Sequence, residues 1–169
     1  MHKSVLLIGC VLAFFVAGCT ESHTVMDYAA VTIAPEVEGD PAKAALAVTY
    51  INTTTNAKQA YFEADRTDAP GFEKAEDDLM LNYEGAALDS LLKLRASLPD
   101  TVKWAGRDIR INAVSLDEQG QTAVLTTDES WAFIDQADKY LFSETNALHT
   151  VEMRMVTNGG EGWIVSEVS

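Results

Sequence analysis

Cysteine is almost missing from this chain. Of 169 residues only Cys10 and Cys19 are cysteines, and both precede residue 20. A folded domain built after that point has no disulfides and no thiolate chemistry, and it must be stable by its core alone. Histidine is also scarce: His2, His23 and His149. One histidine in the body of the chain and no thiols there exclude the common zinc sets. Basic residues are few, 12 against 26 acidic ones, for a net charge of −14. Such a surface repels phosphate backbones and excludes nucleic acid as a partner. No G-x-S-x-G, P-loop or G-x-G-x-x-G pattern occurs. No apolar run reaches the roughly 20 residues that cross a bilayer.

What is present begins with a leader. Lys3 is followed by the apolar stretch Val5 to Val16 and then by small residues. Charge, a short apolar core and small residues, in that order, describe a secretory signal. The stretch ends in Val16-Ala17-Gly18-Cys19 and turns polar at Thr20-Glu21. This resembles the lipobox of bacterial lipoproteins, in which the signal is removed before the cysteine and the thiol carries diacylglycerol. The resemblance implies a signal over residues 1–18, lipidation of Cys19 with fatty acids such as palmitate, and a membrane partner reached through that lipid. Two acyl chains hold a protein stably at a membrane surface, whereas one does so only marginally. The implied location is the extracytoplasmic face of the cell membrane, or the outer membrane in a Gram-negative host. Residues 19–40 read as a tether, acidic and without a clear period, with Val31 and Ile33 able to add a short strand to the edge of the domain.

From residue 41 the first half reads helical and the second half reads as strands. Asp40-Pro41 suits a capping aspartate with proline at the first helical position. Ala44, Ala47, Val48, Ile51, Lys58 and Phe62 then fall near one face, with Tyr50 and Tyr61 beside it. Thr53-Thr54-Thr55 weakens the middle, because β-branched residues lose rotamer freedom in a helix. A second helical stretch runs from Phe72 to Leu98 on a stripe of Met80, Tyr83, Ala87, Leu91, Leu94 and Leu98, widened by Leu81, Leu88 and Leu92. Gly85 either allows close packing there or splits the stretch in two. Strands are expected at Asp108–Leu116 with a bulge where the alternation slips, at Thr122–Asp135, at Ala147–Thr157 and at Gly162–Val168. Asp117–Gly120 and Asn158-Gly159-Gly160 are the turns, and residues 135–146 are read as a connection.

Helices followed by an antiparallel meander define an α+β class, with helices on one face of a curved sheet. The element order and the closing Gly159-Gly160-Glu161-Gly162-Trp163-Ile164-Val165-Ser166-Glu167-Val168 resemble the NTF2-like superfamily, and within it small actinobacterial lipoproteins. The resemblance covers residues 41–169 and implies a cone of sheet wrapped around helices. A cystatin-like sheet around one helix is the alternative. Members of the superfamily often dimerise through exposed sheet faces, so a homodimer is among the implied partners.

The candidate site residues follow from the strand phases. Trp131, Phe133, His149, Met153 and Trp163 are the residues that would line a ligand cavity, or else fill the core. Tyr140-Leu141-Phe142 is an apolar triplet in a polar stretch, read as a partner contact, a lid or a cap on the cone. His149 is the one acid–base candidate, with Glu129 or Asp128 as its carboxylate; a half-buried structural histidine is the plainer reading. Glu73, Glu76, Asp77 and Asp78 lack calcium-loop spacing and sit where acidic residues favour a helix dipole, so no metal and no cofactor are expected. The functional expectation is a lipid-anchored binding protein that holds a small apolar ligand in the cone or an envelope protein on its surface. An enzyme using His149 and a structural surface lipoprotein are the alternatives.

Overall fold

The computed structural model describes residues 29–156 and 162–169. The leader, Cys19 and the Asn158-Gly159-Gly160 turn lie outside the described residues. Pro35–Glu38 forms the short helix α1, and Pro41–Thr49 forms α2. Asp40 caps α2 by accepting from the backbone N–H groups of Ala42 (3.0 Å) and Lys43 (3.3 Å). A cap of this kind stabilises a helix by about 1 kcal/mol.

A π-helical segment, Tyr50–Thr55, follows α2 without a break and leads into α3, Asn56–Glu63. The threonines cause much of this. Thr53 donates to the Thr49 carbonyl and Thr55 to the Ile51 carbonyl, so side chains compete for the backbone acceptors of the helix. A π turn holds an extra residue, which advances the face that α3 presents. Arg107 ties the end of the segment to the sheet, donating to Thr55 Oγ1 (2.9 Å) and Asn56 Oδ1 (3.1 Å).

The stretch from 72 to 98 is two helices, α4 (Ala69–Met80) and α5 (Gly85–Ala96). Of the two readings of Gly85, the split is the one observed, and it takes Met80 and Leu81 off the expected stripe: Leu79 is buried, while Met80 and Leu81 are exposed. Gly85 opens α5 at φ 56°, a backbone conformation glycine reaches without steric cost. The C-terminal end of α5 is fixed by Arg95. Its buried guanidinium donates to the carbonyls of Ala64, Pro99 and Asp100, so one side chain joins the ends of α3 and α5.

The sheet has five strands in the order β1-β2-β3-β4-β5. They are β1 (Ala29–Ile33), β2 (Lys103–Leu116), β3 (Thr122–Ile134), β4 (Tyr140–Val156) and β5 (Gly162–Val168). β1 runs parallel to β2, and the remaining pairs are antiparallel. Residues 29–38, part of the stretch read as a tether, thus form an edge strand and a helix whose Val37 is buried. The phase slip in β2 is a bulge between Ile111 and Ala113.

β4 is longer than its sequence reading. The connection is only Asp135 to Lys139, closed by Asp135 Oδ1 accepting from the N–H groups of Ala137 and Lys139. Tyr140-Leu141-Phe142 is therefore strand. Phe142 lies 6.1 Å from Phe133 between ring centroids, and Tyr140 packs on Ala132 and Ile134 at the other face.

The helices cover one face of this curved sheet. Between the two layers lie Phe62, Leu79, Ile109, Ile111, Leu125, Phe133, Val151, Met153 and Val165, all fully buried. Phe62 of α3 stacks on Phe133 of β3 at 4.6 Å, a contact that helps fix how the helices sit on the sheet.

Candidate functional site

The inward face of β3 is apolar except at two positions. Ala123, Leu125, Thr127, Glu129, Trp131 and Phe133 alternate inward and are buried. A glutamate on such a face must be neutralised or given donors. Glu129, 3 % exposed, has three. Tyr50 Oη (2.6 Å) and Thr127 Oγ1 (2.9 Å) donate to Oε1, and Trp131 Nε1 (2.6 Å) donates to Oε2.

Lys58 of α3 reaches into the same space. Its Nζ lies 3.7 Å from the centroid of the Trp131 ring, a cation–π contact. Burial pushes the Lys58 amine below its ordinary value, and the charges of Glu129 and Glu144 pull it back up. Burial also pushes the Glu129 carboxyl up, but Lys58 and the three hydrogen bonds outweigh it and hold Glu129 below the ordinary glutamate value. Glu129 is thus an ionised carboxylate inside the domain. Tyr50 is raised well above the ordinary tyrosine value, by burial first and the Glu129 charge second; it stays a hydroxyl and a donor.

A bulge completes the site. Glu129 pairs with Ala147 and Trp131 with Glu144, so β4 spends three residues where β3 spends two. This resets the alternation of β4. Phe142 and Glu144 on one side of the bulge then share the inward face with His149 on the other. His149 Nε2 lies 3.4 Å from Glu144 Oε2, and both side chains are partly exposed. The carboxylate partner of His149 is therefore Glu144, which corrects the expectation of Glu129 or Asp128. Glu129 is occupied by its own donors. Asp128 points to the opposite face, where it accepts from Asn112 Nδ2 at 3.0 Å.

These side chains line a cavity of about 320 Å³. Its polar wall is Tyr50, Lys58, Glu129, Glu144 and His149. Its apolar wall comes from Tyr83, from Ala87, Leu91 and Leu94 of α5, and from Phe142. Val168 and Ser169 stand at one side, beside the end of β5. Chemically the space offers an ammonium, two carboxylates, an imidazole and an apolar surface.

The chain is similar in fold to the intermembrane-space region of the chloroplast protein ARC6. The TM-score is 0.51 at 15 % identity, over 75 % of this chain and 94 % of that one. At that identity the likeness is one of fold alone. No protein-family model and no curated protein matches the chain.

The cavity brings together only part of the set expected from sequence. His149 lines it. Trp131, Phe133 and Met153 are fully buried core residues behind it, and Trp163 is half-buried against the core. Their size and apolar character suit packing, and Lys58 and Phe62 of α3 lie over Trp131 and Phe133. Phe142 is in the cavity wall, whereas Tyr140 and Leu141 are not. Sequence reasoning missed Lys58, Tyr50 and Glu144, and gave Glu129 only a supporting part. One signal was available: a lysine on the apolar face of a helix and a glutamate on the apolar face of a strand are complementary charges in a core. Among the described residues no group of three or more His, Cys, Asp or Glu is placed to hold a metal ion, and no helix is long and apolar enough to cross a membrane.

Proposed function

We propose that this chain is a lipid-anchored extracytoplasmic binding protein, an NTF2-like cone whose cavity takes one small, largely apolar ligand. The observation that carries the reading is the 320 Å³ space between α5 and the sheet, walled by leucines on one side and by Lys58, Glu129 and Glu144 on the other. Small-molecule sites begin at about 300 Å³ and combine an apolar lining with a few placed polar groups. Burying Glu129 costs stability unless every donor is in place, and a purely packed core would have no use for it. The anchor rests on Val16-Ala17-Gly18-Cys19 and the short apolar leader before it. The cone is supported by the order of elements, by the bulges that bend the sheet, and by the cavity between sheet and helices.

Native mass spectrometry of the full chain, isolated in mild detergent from the cells that make it, tests this. A bound small molecule is expected, and it should be lost in Leu91→Trp, which fills the cavity. An empty wild-type protein, together with a Leu91→Trp form that melts at higher temperature, would reduce the cavity to a packing defect.

A further inference from the structure

Two charges in the cavity wall are left incomplete. Lys58 Nζ rests on the Trp131 ring, but among the described residues it makes no hydrogen bond and no ion pair. An ammonium carries three donor protons, so Lys58 can take an acceptor from a ligand. Glu144 has one side-chain partner, a single imidazole nitrogen at 3.4 Å. A carboxylate offers about four acceptor positions, so Glu144 can take another donor. Glu129 is different, because both of its oxygens already accept from buried side chains. The cavity therefore presents one open cation and one open anion beside an apolar wall of Leu91, Leu94 and Phe142.

That arrangement discriminates among ligands by charge. A lone anion would meet Lys58 but also the negative charges of Glu129 and Glu144. A lone cation would meet the negative charges of Glu144 and Glu129, but it would be repelled by Lys58 and would leave that ammonium without an acceptor. An uncharged ligand would offer Lys58 a neutral acceptor at best, and an ammonium bonds a neutral oxygen less strongly than a carboxylate. A molecule bearing both charges satisfies both groups and adds no net charge to the cavity. The volume sets its size: 320 Å³ is about ten times the ~30 Å³ that a water molecule occupies in the liquid. We propose that the cavity binds a free apolar α-amino acid, its carboxylate on Lys58, its ammonium on Glu144 and its side chain against Leu91, Leu94 and Phe142.

This rests on the reading of the cavity as a ligand site, and the test separates the two. The full chain in detergent is titrated calorimetrically with leucine, valine, methionine and phenylalanine. Leucine is then compared with 3-methylbutylamine, which lacks the carboxylate, with 4-methylpentanoate, which lacks the ammonium, and with 4-methylpentanamide, which lacks both charges. At least one amino acid should bind, with its singly charged and uncharged analogues weaker by about tenfold or more, as charge-assisted hydrogen bonds require. Glu144→Gln, a change at a partly exposed side chain, should bring the amino acid down to the level of the analogue without the ammonium. Lys58→Met, checked for folding by its thermal melt, should bring it down to the level of the analogue without the carboxylate. An analogue that binds as tightly as the amino acid overturns the proposal and leaves the cavity a ligand site of another class. So does failure of all four amino acids when a native small molecule is still found on the protein. Failure of all four with no native ligand overturns both readings.

Discussion

Tyr50 Oη donates to Glu129 Oε1 at 2.6 Å, joining residues 79 positions apart in the chain. The bond ties the π-helical segment to the middle of β3. It is one of three that hold an ionised glutamate inside the domain, and Lys58 supplies the balancing charge. The site and the stability of the fold therefore share the same atoms.

Glu129→Met should be among the most damaging single changes to the described fold. It removes the acceptor of three buried donors and leaves the Lys58 ammonium without its main counter-charge. Each buried donor left without an acceptor costs about 1–3 kcal/mol, and three lose theirs at once. Glu129→Gln keeps the shape and an acceptor oxygen, so its cost should be closer to 1–3 kcal/mol, the penalty for one unsatisfied buried group. Urea unfolding at neutral pH, followed by tryptophan fluorescence, gives both numbers. Equal and small losses would mean that the three bonds stabilise nothing.

The acid limb of the stability curve should carry the same signature. Glu129 is held below the ordinary glutamate value of 4.5 by Lys58 and its donors, against the effect of burial. A carboxyl depressed in the folded state stabilises above its unfolded value, and that contribution is lost as the pH falls through its folded value. Asp65, Asp117 and Asp135, none of them buried, are also depressed, each chiefly by backbone N–H donors, so the wild-type curve alone does not isolate Glu129. The difference between wild type and Glu129→Gln does. It should be flat above about pH 5 and shrink below it. A difference that stays constant down to the acid transition would remove Glu129 as its source.

Gly85 gives a prediction whose sign depends on the fold. Inside a continuous helix, replacing this glycine by alanine would stabilise by about 1 kcal/mol. Gly85 instead has φ 56° at the start of α5. A Cβ there would sit 3.4 Å from the Ser166 carbonyl oxygen, an ordinary contact. The backbone conformation alone costs an L-residue roughly 1–2 kcal/mol. Gly85→Ala should therefore destabilise by about that amount in a thermal or urea melt. A gain in stability would mean that α4 and α5 are one helix in solution.

Gly85 also shows how far the sequence could be read. The apolar stripe from Met80 to Leu98 fits one helix, and a pattern of side chains does not record a backbone φ. Strand phases were legible in β3, where alternation is unbroken; in β5 a bulge at Ser166 places Val168 on the face of Val165 and not, as its alternation suggested, on that of Ile164. In β4 they were not, because the bulge between Glu144 and Ala147 changes phase in the middle of the strand. That one extra residue made Tyr140 to Phe142 look like a connection and separated Glu144 from His149. The triple threonine did mark the irregular part of the first helix. It could not mark what the π turn does, which is to advance the face that carries Lys58 over Trp131. Fold class is a sum over many positions and survives such local errors. A site is set by a few side chains, and two backbone irregularities were enough to hide most of this one.

Cys19 carries the prediction about location. If the residues Val16-Ala17-Gly18-Cys19 act as a lipobox, Cys19→Ser removes the thiol that accepts the diacylglycerol. The described domain supplies no helix long and apolar enough to replace it in a bilayer, and a net charge of −14 discourages adsorption to anionic headgroups. Wild-type protein should stay with membranes through an alkaline carbonate wash and partition into detergent. The variant should appear in the soluble fraction, or as an unprocessed precursor about 2 kDa heavier, the mass of a short signal peptide. The intact mass of the wild type should begin at Cys19 and include the acyl groups. A variant that remained membrane-bound after the wash, with its leader removed, would show that something other than lipid on this cysteine holds the chain in place.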